Sequence, residues 1–309
     1  MLMDGDAAHP ADAVLFGQAS SELPPKQERA HAGFAVSHWI DGKCRPSFQV
    51  PVWKAIDGFL KSISIEEIER YISITPSPLL TQILGKDPLD HEVCSLIFRR
   101  QDQIDGESLY MNNQPRFCLF LEPDISTAAL AGEEIWTLVP ATAQFIGPHL
   151  THNIAECRMF FLPTIFDFGW CLYNWDMQRK NINIFDPSYG SCTTQRRTDL
   201  LEAVADKLHM ALFTTIYKLF NNWHVDCIRW EKIFHVTSPT TVKQKDTGIW
   251  IVRVAKHFDD NQVLADMSQG SIVGERQEIL TELVEMKGNM APLPDSVTNL
   301  ITSWPAQEL

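Results

Sequence analysis

The chain has 309 residues, enough for one large domain or two ordinary ones, and its 9 Trp and 17 Phe mean that aromatic side chains carry much of the burial. Its 26 Lys+Arg against 39 Asp+Glu leave a net charge of −13, which excludes an electrostatic footprint for nucleic acid and favours solubility and basic partners. The 7 Cys are odd in number and lack a Cys-x-x-Cys pair, which argues against a disulfide framework and a structural zinc site; no metal or cofactor is expected. Neither a secretory signal nor a run of about 18 apolar residues is read in the sequence, so an intracellular protein of nucleus or cytoplasm is expected, with no membrane span.

In chain order, residues 1–32 are rich in Ala, Pro, Asp and Gln and read as a disordered lead-in. Ser64-Ile65-Glu66-Glu67 is a capping box opening a short helix through Tyr71, with Pro76 and Pro78 ending it. Asp87-Pro88 reads as a second helix start, followed by Leu89, Val93, Leu96, Ile97 and Arg100 at helical spacing. Both helices are expected to pack a core rather than bind a ligand. The period then changes. Met159 to Pro163 is an apolar run of the buried-strand type, and Trp170 to Trp175 is a second. Asp176 to Lys180 makes a polar turn, and Asn181-Ile182-Asn183-Ile184-Phe185 alternates as a third strand, closing a hairpin.

After Asp186-Pro187-Ser188-Tyr189-Gly190 the helical period returns. Thr193 or Thr194 caps a long amphipathic helix with Leu200, Leu201, Val204, Leu208, Leu212, Ile216 and Leu219 on one side. Further helices are expected from about Gly248 to Phe258 and from about Glu275 to Met286, with a fraying tail carrying Pro292, Pro294 and Pro305. The class is α+β.

The segments Cys157 to Pro163, Gly169 to Tyr173 and Ile182 to Pro187 resemble the centre of the SUMO/ubiquitin-like-protein-specific (Ulp-type) cysteine proteases. In that family one strand begins His-Trp and the next ends in an Asp seventeen residues after the His. Trp170 and Asp186 match this pattern, but the His position holds Gly169. The family's nucleophile is a Cys in an Asp-Cys-Gly turn opening a helix. Here Gln244-Lys245-Asp246-Thr247-Gly248-Ile249-Trp250 matches at Asp246 and Gly248, with Thr247 in the nucleophile position. Gln244 corresponds to the oxyanion-hole Gln if the loop is shortened; Thr241 stands at the usual distance.

The resemblance covers residues 110–262 and implies a papain-like/adenain-like cysteine protease fold, a small central sheet flanked by helices. It divides the chain into 1–32, disordered; 33–109, helical; 110–262, protease-like; and 263–309, a C-terminal helix and tail. It also implies a ubiquitin-like modifier or its conjugate as partner, Trp170 lining the tunnel that clamps the modifier's Gly-Gly tail, and a kinship with divergent plant members associated with transposable elements.

The substitutions bear directly on chemistry. A cysteine protease needs a thiolate generated by an adjacent imidazole that the Asp orients, with the helix N-terminus lowering the thiol pKa further. A threonine hydroxyl ionises far above neutrality, and Gly169 supplies no base, so Asp186 has no imidazole to orient. Losing triad members typically costs several orders of magnitude in rate. His149 and His152, near Cys157, and His224, near Cys227, are not expected to substitute, because neither Cys opens a helix beside an oriented base. Trp170 also reads as a large aromatic on a buried strand, Asp186-Pro187 as a strand-ending turn, and Asp246 or Thr247 as a helix cap. The expectation is a pseudoprotease that binds without cutting. The alternatives are an active peptidase with a rearranged site and a transposon-derived relic.

Overall fold

The strand segments from Met159 to Phe185 are continuous apolar runs because their sheet is covered on both faces. The computed structural model describes residues 76–111, 118–146, 154–189, 194–220, 223, 226–236, 242–258, 262–265, 267–284 and 286. The lead-in and the Ser64 capping box lie outside the described residues, as do His149, His152, His224 and the proline-bearing tail.

Within that range the chain runs α1 (Pro76–Ile83), α2 (His91–Met111), β1 (Cys118–Phe120), α3 (Pro123–Ala131), a 3-10 turn (Ile135–Thr137), α4 (Val139–Ile146), β2 (Met159–Phe166), β3 (Gly169–Asp176) and β4 (Asn181–Phe185). It continues with α5 (Gln195–Leu219), β5 (Glu231–Phe234), α6 (Thr247–His257) and α7 (Gln269–Val284). The five strands pair in sequence order, β1 parallel to β2, β2–β3–β4 antiparallel and β4 parallel to β5.

Strand alternation sorts the buried side chains into two layers. Met159, Phe161, Trp170, Leu172 and Phe185 join a cluster with Leu89, Val93, Ile249, Ile251, Ile279 and Leu283 from α2, α6, α7 and the approach to α2. Phe160, Leu162, Cys171, Tyr173, Trp175, Ile182 and Ile184 face the other way, onto Leu201, Leu208 and Ile216 of α5 and Ile125 of α3. The first cluster draws residues from both sides of positions 110 and 262.

The hairpin turn is organised by Asp176, whose Oδ1 accepts the amides of Gln178 and Arg179 at 3.0 Å each while Arg158 closes a two-pronged pair on the same carboxylate at 3.1 and 2.7 Å. Leu172 pairs with Phe185, so Asp186 arrives one step beyond, beside the start of β3. Carrying the register one step on sets Asp186 opposite Cys171, two residues after Gly169.

Several local expectations need correction. Pro76 and Pro78 lie in the first turn of α1, where proline's missing N–H costs nothing; the helix they are expected to end lies outside the described residues. The start of α2 is capped by Asp90, not Asp87: Asp90 Oδ1 accepts the Val93 amide at 2.8 Å, and Gln82 holds the Asp90 carboxylate at 2.6 Å. Thr194 is the N-cap of α5, accepting the Arg197 amide at 3.3 Å, and Leu200 is exposed rather than on the buried side. Helix α7 begins at Gln269, six residues earlier than its sequence pattern suggests. Strands β1 and β5 and helices α3 and α4 are additions to the elements read from sequence. Among the described residues no helix is long and apolar enough to cross a membrane, and the described cysteines Cys94, Cys118, Cys157, Cys171 and Cys227 are reduced thiols.

Candidate functional site

Residues 169 and 247 meet where β3 begins and α6 begins. A Cβ built on Gly169 would stand 2.5 Å from Thr247 Oγ1 and 3.0 Å from its Cγ2, so the two positions are in direct contact. Gly169 has φ +117, a backbone conformation that L side chains rarely adopt. The glycine therefore does two things here: it supplies the backbone angle, and it leaves room for the threonine.

Thr247 is 3% exposed and its hydroxyl is used twice. It accepts the Trp170 amide at 2.9 Å and donates to the Gln244 carbonyl at 2.7 Å. The first ties the start of β3 to the start of α6 and the second closes the turn before α6, so the oxygen points its proton at a peptide carbonyl and not at a base. This corrects the expectation of a simple cap. Asp246 occupies the N-cap of α6 but makes no side-chain cap hydrogen bond. Its buried carboxylate is drawn instead to the Arg276 guanidinium at 2.6 Å, a charged donor that outcompetes an amide.

Arg276, on α7, ties this corner together. It also donates to Gln82 O at 2.8 Å, Ile83 O at 3.2 Å and Lys245 O at 3.3 Å. The end of α1, the turn before α6 and α7 are thus held by one buried guanidinium. Gly248 completes the corner, because a Cβ there would lie 2.7 Å from Leu89 Cδ1; the close approach of the Leu89 segment requires glycine.

Trp170 is buried, at 1% exposure, and its indole N–H donates to the Leu89 carbonyl at 2.9 Å. A partner could reach the indole only if the Leu89 segment moved. Gln244 turns away from Thr247: its Nε2 donates to Asp167 O at 2.7 Å, joining the turn before α6 to the β2–β3 turn.

Asp186 is buried at 2% exposure, and it is paired. Arg197, in the first turn of α5, donates to Asp186 Oδ1 at 2.5 Å, and the Ser188 amide donates to the same oxygen at 2.9 Å. The Arg197 guanidinium carbon lies 3.7 Å from the centroid of the Phe168 ring. Burial pushes the Cys171 thiol well above its ordinary pKa, the Asp186 charge adds to this and Arg197 opposes it. Cys171 is thereby an inert core thiol.

The described histidines are engaged elsewhere. His91 contacts Thr127, His209 bonds Trp175 and Cys227 O, His235 bonds Asn183 and stacks on Phe185, and His257 lies in the last turn of α6. Among the described residues no group of three His, Cys, Asp or Glu side chains is arranged to hold a metal.

With this geometry in hand, similarity to known proteins is informative. No family model and no curated protein matches the sequence. Solved structures do match: the SUMO protease Ulp1 with its catalytic cysteine oxidised to a sulfenic acid has a TM-score of 0.53 at 12% identity, covering 79% of this chain and 97% of that one. The C-terminal Ulp1 protease domain in complex with Smt3, the yeast ortholog of SUMO, has a TM-score of 0.52 at 13% identity, covering 79% and 98%. The Chaetomium thermophilum Ulp1-like SUMO protease catalytic domain has a TM-score of 0.52 at 13% identity, covering 83% and 99%.

The fold is that of the Ulp1-type cysteine proteases. It is a mixed α/β architecture with a five-stranded sheet flanked by helices. Within this Ulp1-type fold the sequence motifs come together at one corner: Gly169, Trp170, Gln244, Asp246 and Thr247 are joined by the contacts above. Asp186 lies just past the end of β4 and is bound to Arg197. Sequence reasoning missed Arg197, Arg276 and Leu89. A signal existed for both arginines: each sits on the apolar stripe of its helix, Arg197 with Leu201, Val204 and Leu208, and Arg276 with Ile272, Ile279, Leu280 and Leu283. A basic residue on a buried stripe calls for a buried acid.

Proposed function

We propose that this chain is a Ulp-type protease domain without hydrolytic activity, a pseudoprotease that binds a ubiquitin-like modifier or another protein without cutting it. One observation carries the proposal. The Thr247 hydroxyl faces Gly169 at contact distance, bonded to the Trp170 amide and the Gln244 carbonyl, with neither an imidazole nor a thiol between them.

The chemistry follows from that arrangement. Nucleophilic attack requires a base within hydrogen-bond reach of the attacking atom. The hydroxyl proton is instead committed to a peptide carbonyl, and an aligned base could not be added at residue 169 without a strained backbone. Partner binding is supported by the fold alone, since the similar Ulp1 domain is seen in complex with Smt3. Trp170 then serves as a strut under Leu89, and a modifier tail laid over the indole has to displace that segment.

The test pairs two measurements on the purified chain: titration with labelled SUMO and ubiquitin-family proteins, and turnover of their precursors. Saturable binding without turnover is the expected result. Turnover lost on Thr247→Ala restores the active-peptidase reading, and folded protein that binds no modifier overturns the modifier assignment.

A further inference from the structure

Asp186 and Arg197 show what replaces the missing imidazole. Asp186 has side-chain exposure of 0% in its ion pair, so an ionised carboxylate there needs a compensating donor. Gly169 has no side chain to supply one. The donor comes from α5, where Arg197 reaches Oδ1 at 2.5 Å while its guanidinium lies on the Phe168 ring one residue before Gly169.

Two of the molecule's buried arginine–carboxylate pairs are two-pronged forks. Arg99 grips Glu122 with two prongs, at 2.7 and 3.0 Å, and Arg158 grips Asp176 likewise, at 3.1 and 2.7 Å. The Asp186–Arg197 pair uses one prong. Both other atoms of the fork, Asp186 Oδ2 and Arg197 Nε, are buried with no hydrogen-bond partner in the protein. Oδ1 already takes the Ser188 amide as well. The carboxylate thus has one crowded oxygen and one idle oxygen, with room in its hydrogen-bonding capacity for a second donor.

We infer that Arg197 has taken over the imidazole's place as the charge partner of Asp186, making Asp186 the anchor of α5 on the sheet. This rests on the pseudoprotease reading only for the statement that an imidazole is missing. Arg197 is thus a positioning residue. It holds the first turn of α5 against the end of β4 and the β2–β3 turn, and it neutralises the buried charge that the protease pattern left behind. The retention of Asp186 then has a structural cause, and the carboxylate is engaged even if a histidine and a cysteine are put back.

The experiment is a stability cycle on the full chain with Asp186→Asn, Arg197→Gln and the double variant, read by thermal melting, with Arg197→Lys as the conservative rescue. Each single change is expected to lower the melting temperature by roughly 10 °C, since either leaves a buried charge or fork unmatched. The double variant should fall by about as much as one single change, and Arg197→Lys should recover part of the loss. Additive losses in the double variant overturn the inference, as does Arg197→Lys no better than Arg197→Gln. If a single variant is too unstable to purify, a double variant that does purify gives the same non-additive result, and one that does not overturns it. Turnover is measured separately on the wild-type chain: Thr247-dependent cleavage would sink the pseudoprotease reading while leaving the outcome of the cycle to stand on its own.

Discussion

The contact between Gly169 and Thr247 yields a number that mutagenesis can check. Gly169→Ala places a Cβ 2.5 Å from Thr247 Oγ1, 3.0 Å from Cγ2 and 3.2 Å from Cβ, at a backbone φ of +117. The backbone term for a non-glycine residue in such a region is about 1–3 kcal/mol, and forcing a methyl group into a filled site adds about 1–3 kcal/mol. Together they predict a loss of about 2–6 kcal/mol, a large share of the roughly 5–15 kcal/mol that holds a domain folded. The two terms separate in a cycle. Thr247→Ala removes Oγ1 and Cγ2, leaving the Trp170 amide without its acceptor at a cost of about 1–3 kcal/mol. In that background Gly169→Ala should cost little more than the backbone term, because the nearest remaining atom is at 3.2 Å. The assay is urea unfolding of the wild type, both single variants and the double. A Gly169→Ala loss below about 0.5 kcal/mol, or an equal loss in both backgrounds, refutes the contact.

Two further predictions concern the supports of this corner. Arg276→Met removes the charged partner of Asp246 and a donor to the Gln82, Ile83 and Lys245 carbonyls, and should lose about 3–5 kcal/mol in urea unfolding, with Asp246→Asn in the same chain recovering part of it. His209 accepts the Trp175 indole N–H on Nδ1 at 3.2 Å, which makes Nε2 the donor to Cys227 O at 2.9 Å and fixes a neutral ring. Burial lowers its pKa from the ordinary 6.5, so its contribution is full above that pH and is lost as pH falls from 6.5 through the folded value. The fall in melting temperature below pH 6.5 should shrink in His209→Gln; an unchanged acid slope contradicts the assignment.

Much of the fold was readable because the strong signals are periodic. The run Asn181 to Phe185 alternates and forms β4 at those bounds, and the stripe from Leu201 to Ile216 is the buried face of α5. The short strands β1 and β5 carry three and four residues, too few to show a period, and they exist because β2 and β4 offer them parallel edges. Helix α1 itself was not read, because Pro76 and Pro78 signal a helix end as readily as a first turn.

At the site, the identities at 169, 170, 186, 244 and 247 were legible as positions. Their partners were not: no local pattern says that Leu89 accepts the Trp170 indole, eighty-one residues away, or that Arg197 meets Asp186. Such pairings are products of tertiary packing. The fit at Gly169 is a further example, since the threonine that fills its side-chain space lies seventy-eight residues away.

The central claim is that the dyad's place holds no nucleophile and base, and hydrolysis tests it most directly. C-terminally labelled SUMO and ubiquitin-family precursors are incubated with the folded wild-type chain and with Thr247→Ala. No cleavage by either protein is the predicted result. Cleavage by the wild type that disappears in Thr247→Ala would contradict it, making Thr247 a working nucleophile with a base that the arrangement at Gly169 does not supply.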